Sequence, residues 1–330
     1  MTASSGVALA THDLRKSYGS RVALAGLDLV VPDGVVYGFL GPNGAGKTTT
    51  MRILTGLIHA DGGSVDMLGR PFKRGDRRRL FDVGALVESP SFYPYLSGRE
   101  NLRAFAATGP RTRPGRIEEL LELVGLRERA RDKVSCYSLG MKQRLGIAGA
   151  LLSEPRLLLL DEPANGLDPA GIVAMRELLT QLARNGTTVF VSSHLLAEVQ
   201  QMADIVGIIA AGRLVREGRV SDLLDTSGVV RVRVPTEAVS VAVEAIAITF
   251  PSEEVQPSAN EPGWLTVHVS PERAGEINRA LVARGIYATR LEAGSDLEDL
   301  FLELTKSASD PDGTFMGTAG AAPEPTETAR

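Results

Sequence analysis

Short, wholly apolar runs that stop abruptly at polar or glycine residues set the rhythm of this chain. Val35-Val36-Tyr37-Gly38-Phe39-Leu40 reads as a buried strand. Arg156–Leu160 and Thr187–Val191 read the same way. The latter two end in polar residues, as buried parallel strands do when their C-terminal edge carries a site. Residues 7–40 read as strands joined by turns, and Pro32-Asp33-Gly34 between apolar runs is a hairpin signal. Residues 83–88 predict another short strand. Helical spacing governs residues 46–58, with Met51, Ile53, Leu54, Leu57 and Ile58 apolar, and most of residues 99–150, where Leu120, Leu121, Leu123, Val124 and Leu126 form a stripe. Asp168-Pro169 places a capping side chain before a proline at the first helical position, opening a helix over Ala170–Asn185.

The pattern changes near residue 220. Val229–Val234 and Trp264–Val269 alternate with period two, and Ile286–Leu291 predicts a last strand. Glu237–Ala247 reads as a helix, and Ser270-Pro271 caps a second one running to Arg284. Ser295-Asp296-Leu297-Glu298 is a capping box before a helix with Leu297, Leu300, Phe301 and Leu304 on one face. These elements predict a small α+β domain over 221–306. Residues 307–330, rich in Ala, Thr, Gly and Pro, predict a disordered tail. Neither Trp264 nor His268 belongs to a catalytic constellation, and the alternating strand makes both packing residues.

Composition narrows the class. The 330 residues are 43% hydrophobic and 23% charged, with a net charge of −4, which offers no footprint for nonspecific nucleic-acid binding. One cysteine, Cys136, excludes an intramolecular disulfide and a C-x-x-C metal site. No stretch approaches the roughly 20 apolar residues that cross a bilayer. Residues 1–14 lack the basic start and apolar core of a secretory signal. A soluble protein is expected, with any membrane role exercised through a partner.

Between the first buried strand and the first helix stands Gly41-Pro42-Asn43-Gly44-Ala45-Gly46-Lys47-Thr48, a G-x-x-x-x-G-K-T phosphate-binding loop. Its glycines let backbone N–H groups converge on one anion, and the helix N-terminus behind them favours negative charge. Lys47 reaches β- and γ-phosphates, and the Thr48 hydroxyl, followed by Thr49, is a ligand for Mg²⁺. The four leucines before Asp161-Glu162-Pro163 make these acids a buried strand's end. Asp161 suits the Mg²⁺ shell and Glu162 the polarising of an attacking water.

Several motifs now stand in one order. The phosphate loop precedes Ser138-Leu139-Gly140-Met141-Lys142-Gln143-Arg144, then Asp161-Glu162-Pro163, Asn165-Gly166-Leu167-Asp168 and Ser193-His194. Over residues 7–220 the chain resembles an ABC-type ATPase cassette. The resemblance implies a phosphate-loop, RecA-like α/β core with an antiparallel β subdomain and a helical insertion at about 92–150. It implies ATP and Mg²⁺ as ligands, a second copy of the chain closing on two ATPs, and a separate membrane permease. Tyr18 resembles the aromatic that stacks on adenine. Ser138 and Gly140 resemble the signature that reaches the γ-phosphate of the opposite subunit, Asp168 the aspartate linking the subunits, and His194 the switch histidine. Taken singly, Tyr18 reads as a packed surface aromatic, Asp168 and Ser138 as caps, and His194 as structural; their shared order reverses those readings.

Two departures mark a subfamily. The signature, usually L-S-G-G-Q, is Tyr137-Ser138-Leu139-Gly140-Met141, and Glu88 stands where a metal-adjacent glutamine is usual. With Phe92-Tyr93-Pro94-Tyr95-Leu96 and Glu100-Asn101-Leu102 following, the chain is similar to ATPase subunits of bacitracin- and lantibiotic-type exporters. Leu297–Leu304 resembles the C-terminal extension of drug- and peptide-export ATPases. These resemblances imply an antibiotic, drug or peptide exporter subunit, held at the inner face of the membrane by its permease. The alternative is a soluble ABC-type ATPase acting on nucleic acid or ribosomes. The long coiled-coil or zinc insertions of repair ATPases and the second cassette of ribosome-acting ones are missing from the sequence. A phosphate-loop kinase leaves Ser138–Arg144 and His194 unexplained.

Overall fold

The computed structural model describes residues 6–293, apart from 74, 76, 89–90, 110–111, 226–228 and 259–260. Two long strands, β1 (Val7–Tyr18) and β2 (Arg21–Pro32), pair antiparallel across Gly19-Ser20. The chain then leaves this sheet through β3 (Val36–Leu40) and α1 (Lys47–Leu54), and returns with β4 (Gly62–Met67) and β5 (Arg70–Pro71). The first sheet has the order β2-β1-β4-β5.

Pro32-Asp33-Gly34 therefore does not close a hairpin: β2 and β3 lie in different sheets. All five residues of β3 are buried, which a strand flanked by parallel neighbours satisfies and a half-exposed hairpin partner would not. The turn is instead tied to the second sheet, Gly34 N–H donating to Thr188 Oγ1 at 2.8 Å.

After β6 (Val83–Leu86) come three helices, α2 (Gly98–Thr108), α3 (Arg116–Leu123) and α4 (Leu139–Ala150). The helical stretch read over 99–150 is thus divided. Gly115 at φ 82° and Gly125 at φ 64° supply left-handed turns at the two ends of α3. The capping box that starts α2 is Ser97 with Glu100. Then follow β7 (Leu157–Asp161), α5 (Pro169–Arg184), β8 (Thr188–Ser193), α6 (Leu196–Gln200), β9 (Ile205–Ala210), β10 (Arg213–Arg219) and α7 (Val220–Asp225). Asp168 caps α5 as its sequence predicts, its carboxylate accepting from Gly171 N at 2.9 Å.

The second sheet runs β10-β9-β3-β8-β7-β6, parallel except for the edge strand β10. Its strands read as unbroken apolar runs because both faces are covered. Leu158 and Leu160 join one buried cluster with Leu102, Leu145 and Leu179 of the flanking helices, while Leu157 and Leu159 join another with Met51 and Leu54 of α1. Each such side chain contributes about 1.5–3 kcal/mol on burial.

Residues 229–293 build a third sheet. Its elements are β11 (Val229–Arg233), α8 (Val239–Thr249), β12 (Val255–Pro257), β13 (Trp264–His268), α9 (Ala274–Val282) and β14 (Arg290–Ala293). The order β12-β13-β11-β14, antiparallel throughout, is a split βαβ arrangement with its own core around Val230, Val232, Leu265 and Ile277. Three-residue 3₁₀ turns precede both helices, so each starts later than its sequence pattern indicates. The last strand also starts later, at Arg290, because Ile286 is buried and its N–H donates to Leu281 O, ending α9. The readings for 295–304 and 307–330 lie outside the described residues. Among the described residues no helix is long and apolar enough to cross a membrane.

Candidate active site

Adjacent strands β3, β8 and β7 deliver three motifs to one edge of the sheet. Leu40 lies opposite Ser193 and Asp161 opposite Ser192 in the parallel register. The phosphate loop, His194 and Glu162 thus leave neighbouring strand ends at the same level, where ligands bind in open α/β sheets.

The loop's shape is enforced by its glycines. Gly46 sits at φ 116°, and a Cβ there would lie 2.7 Å from Ala23 O. The turn after β9 locks the loop to the first sheet: Gly212 N–H donates to Ala45 O at 3.0 Å, and Ala25 N–H to Gly212 O at 2.9 Å. Lys47 is buried, its Nζ donating to Gly41 O at 2.6 Å and Pro42 O at 3.3 Å, with Glu162 Oε1 at 3.4 Å. An ammonium folded over its own loop marks the place an anion takes.

A polar chain fixes the two carboxylates. Ser192 Oγ donates to Asp161 Oδ1 at 2.5 Å and accepts from Glu162 N–H at 3.1 Å. Glu162 itself is left-handed at φ 49°, a conformation that costs a non-glycine residue about 1–3 kcal/mol and is held by these bonds. Its Oε2 lies 2.7 Å from His194 Nδ1. A carboxylate only accepts, so Nδ1 carries the proton. Half-buried Glu198, on α6, has its carboxyl raised above the usual glutamate range by burial, with His194 opposing and Glu162 adding to the shift.

Gly46, Lys47, Glu162 and His194 line a cleft of about 530 Å³ together with Tyr18, Asn43, Gly44, Thr48 and Thr49, with Asn165 of the Asn165–Asp168 motif, and with two positions that sequence reasoning passed over, Arg21 and Ala23. Pro42 and Gly41 complete the loop beside it. Of the other sequence-selected residues outside this lining, Ala45 and Asp161 directly precede Gly46 and Glu162, whereas Ser138, Gly140, Asp168 and Glu88 come from separate segments. Ser138 caps α4, accepting from Met141 N–H at 3.2 Å, and is exposed; Gly140, two residues on, is half-buried. The start of α4 meets the Asn165–Asp168 loop: a Cβ on Gly140 would lie 3.4 Å from Leu167, and one on Gly166 2.7 Å from Leu139. Asp168 is exposed at its cap. Glu88 is exposed, at φ 67°, and pairs with Arg52 on α1.

The family model described as "ABC transporter" matches residues 24–165. The bacitracin transport ATP-binding protein BcrA of Enterococcus faecalis is 40% identical over 297 residues, covering 89% of this chain and 95% of the relative. The chain belongs to the ABC transporter ATP-binding family. The lantibiotic transport ATP-binding protein SrtF of Streptococcus pyogenes is 43% identical over 63% of this chain and 90% of its own. Among solved structures, one titled "Structure of ATP binding subunit of ABC transporter" aligns with a TM-score of 0.59 at 30% identity, over 65% of this chain and 91% of its own. This ABC transporter subunit is a nucleotide-binding ATPase. Transport is the work its hydrolysis powers, and the reading of an ATPase devoted to nucleic acid or ribosomes is not favoured.

Proposed function

We propose that two copies of this chain enclose two ATP molecules and drive a separate membrane permease that exports a peptide antibiotic. The observation that carries this reading is the separation of the signature from the cleft. Ser138 stands exposed at the start of α4, whose Leu139 and Gly140 meet the Asn165–Asp168 loop, while Lys47, Glu162 and His194 converge on the cleft. A site assembled across two copies uses both surfaces, with Asp168 between them. The cargo class follows from the transport proteins named for bacitracin and lantibiotic, which share 40% and 43% identity with the chain.

The roles follow from the chemistry of each group. Tyr18 stacks on adenine, the phosphate loop and Lys47 hold the β- and γ-phosphates, and Glu162 takes a proton from the attacking water. His194, fixed by its Nδ1–H bond to Glu162, offers Nε2 for a γ-phosphate contact. The residues present fit Mg²⁺: the Thr48 hydroxyl, on a residue lining the cleft, and the buried Asp161 carboxylate, next in sequence to the cleft residue Glu162, are hard oxygen donors. Bound there, Mg²⁺ would neutralise charge building on the phosphoryl oxygens. Glu88, paired with Arg52, would be a further oxygen donor only on release from that pair. Residues 7–220 form the ATPase domain, 221–306 an accessory domain, and the permease holds the subunit at the inner membrane face.

The test is the ATP-dependent association of Glu162→Gln, measured by light scattering. It binds ATP, hydrolyses it slowly and runs as a dimer only with ATP and Mg²⁺, and adding Ser138→Arg returns it to monomer. A Glu162→Gln protein that stays monomeric at saturating ATP, or one whose dimer tolerates Ser138→Arg, sinks the shared-site reading.

A further inference from the structure

Arg21 is the cleft's unassigned cation. It opens β2 and faces Tyr18 across the two-residue turn Gly19-Ser20, the last pair in the β1–β2 register. Directly opposed residues of an antiparallel pair project from the same face, with Cβ atoms about 4.5–5.5 Å apart. Both line the cleft. The guanidinium extends over the phosphate loop: its Nη2 lies 3.1 Å from the position a Gly44 Cβ would occupy, and Gly44, at φ 84°, carries none.

The surrounding cations are already engaged. Lys16 pairs with Asp61 at 2.7 Å, Arg52 with Glu88, and Lys47 with loop carbonyls and Glu162. Arg21 forms no ion pair with a carboxylate among the described residues. A free guanidinium beside an aromatic platform and above a glycine of an anion cradle has one plain use. With Tyr18 read as the base end of the cleft and Lys47 as the β/γ end, Arg21 faces the first and reaches Gly44 of the loop that carries the second.

We propose that Arg21 binds the α-phosphate of the nucleotide, completing a row of contacts from Tyr18 to Lys47. The assignment rests on the reading of Tyr18 as the adenine platform. It makes Arg21 a binding residue that ATP and ADP share, in contrast to Lys47, whose reach extends to the γ-phosphate. β2, which carries Arg21, is tied to the phosphate loop through Gly212, bonded to both Ala25 and Ala45.

Calorimetric titration of ATP and ADP into the full chain tests it. Arg21→Gln raises both dissociation constants by the same factor, about five- to twentyfold, as loss of one charge-assisted contact does. Arg21→Lys recovers part of that loss, and the salt dependence of binding falls in Arg21→Gln. The melting temperature without nucleotide stays at the parental value. Unchanged constants in Arg21→Gln overturn the proposal. So does an equal loss in Arg21→Lys accompanied by a lower nucleotide-free melting temperature, which makes Arg21 a packing residue of the hairpin. Lys47→Ala is the control on the cleft itself: if it binds ATP as tightly as the parent, the phosphate site lies elsewhere and the Arg21 assignment falls with it. Loss of binding in Lys47→Ala with no change in Arg21→Gln rejects the Arg21 role alone.

Discussion

The Glu88 carboxylate is held by Arg52, whose Nε donates to Oε1 at 3.0 Å. The two residues are 36 positions apart, one after β6 and the other on the last turn of α1, directly behind the phosphate loop. Glu88 raises the Arg52 pKa. Both side chains are about half exposed, and such pairs are worth about 0–1 kcal/mol, so Glu88 can change partners at little cost. Arg52→Gln is expected to change stability by under about 0.5 kcal/mol. It should shift the Mg²⁺ concentration for half-maximal ATPase downward, by freeing a carboxylate for the ion. Glu88→Gln should shift it the opposite way. Mg²⁺ titrations that superimpose for parent and both variants would leave Glu88 a surface acid.

The bond between His194 Nδ1 and Glu162 Oε2 predicts a graded pair of losses. Glu162→Gln removes the base, which contributes about 10²–10⁴-fold, while keeping a group of the same shape near Lys47. His194→Ala leaves Glu162 intact but unanchored. It should slow hydrolysis, and the double variant should lose no more than Glu162→Gln alone, because both act in one step. Single-turnover rates at saturating ATP read this directly. Multiplicative losses in the double variant would mean independent roles.

How much of this site was legible without coordinates depended on the range of each interaction. The phosphate loop, Asp161-Glu162 and Ser193-His194 each follow an apolar run in the sequence, so strand and motif were read together. Arg21 enters the cleft through the Gly19-Ser20 hairpin, which no local pattern specifies. The Arg52–Glu88 pair joins separate elements and left no trace in spacing. Pro32-Asp33-Gly34 misled because the same turn chemistry serves a hairpin and a crossing between sheets. Continuous burial of β3 decides for the crossing. In the 99–150 stretch, helical periodicity was real within each helix, but the glycines at 115 and 125 outweighed it at the joints.

Glu198 predicts a pH dependence of stability. Burial lifts its carboxyl above the ordinary glutamate value of about 4.3, and the Glu162 charge adds to this. Between the unfolded and folded values the native state binds more protons than the unfolded one. Stability therefore falls as pH rises through that window, and the ionised group costs stability above it. Glu198→Gln removes the cost. Its melting temperature should exceed the parent's at pH 8 and converge with it near pH 4. A variant less stable at pH 8 would mean that the Ser193 and His194 contacts outweigh burial.

A last prediction concerns the strand that carries the phosphate loop. Tyr37 is fully buried in β3, its ring stacked on Phe190 at 5.3 Å and its hydroxyl donating to Glu217 on β10. Burial pushes the phenol pKa well above its usual value, so the donor persists across the working pH range. Gly207 of β9 lies against this hydroxyl, and a Cβ there would collide with the oxygen and lie 3.0 Å from Cζ. Gly207→Ala should destabilise by about 1–3 kcal/mol, the usual cost of overpacking. Tyr37→Phe, which loses one hydrogen bond to an exposed carboxylate, should cost about 0.5–1.5 kcal/mol. The two should not add. Removing the hydroxyl oxygen makes room for the methyl group, so the double variant should be at least as stable as Gly207→Ala, with a favourable coupling of about 1 kcal/mol or more. Urea denaturation of the four proteins measures that coupling. Strict additivity would show that β9 and β3 separate slightly to admit the methyl, instead of meeting it at the tyrosine oxygen.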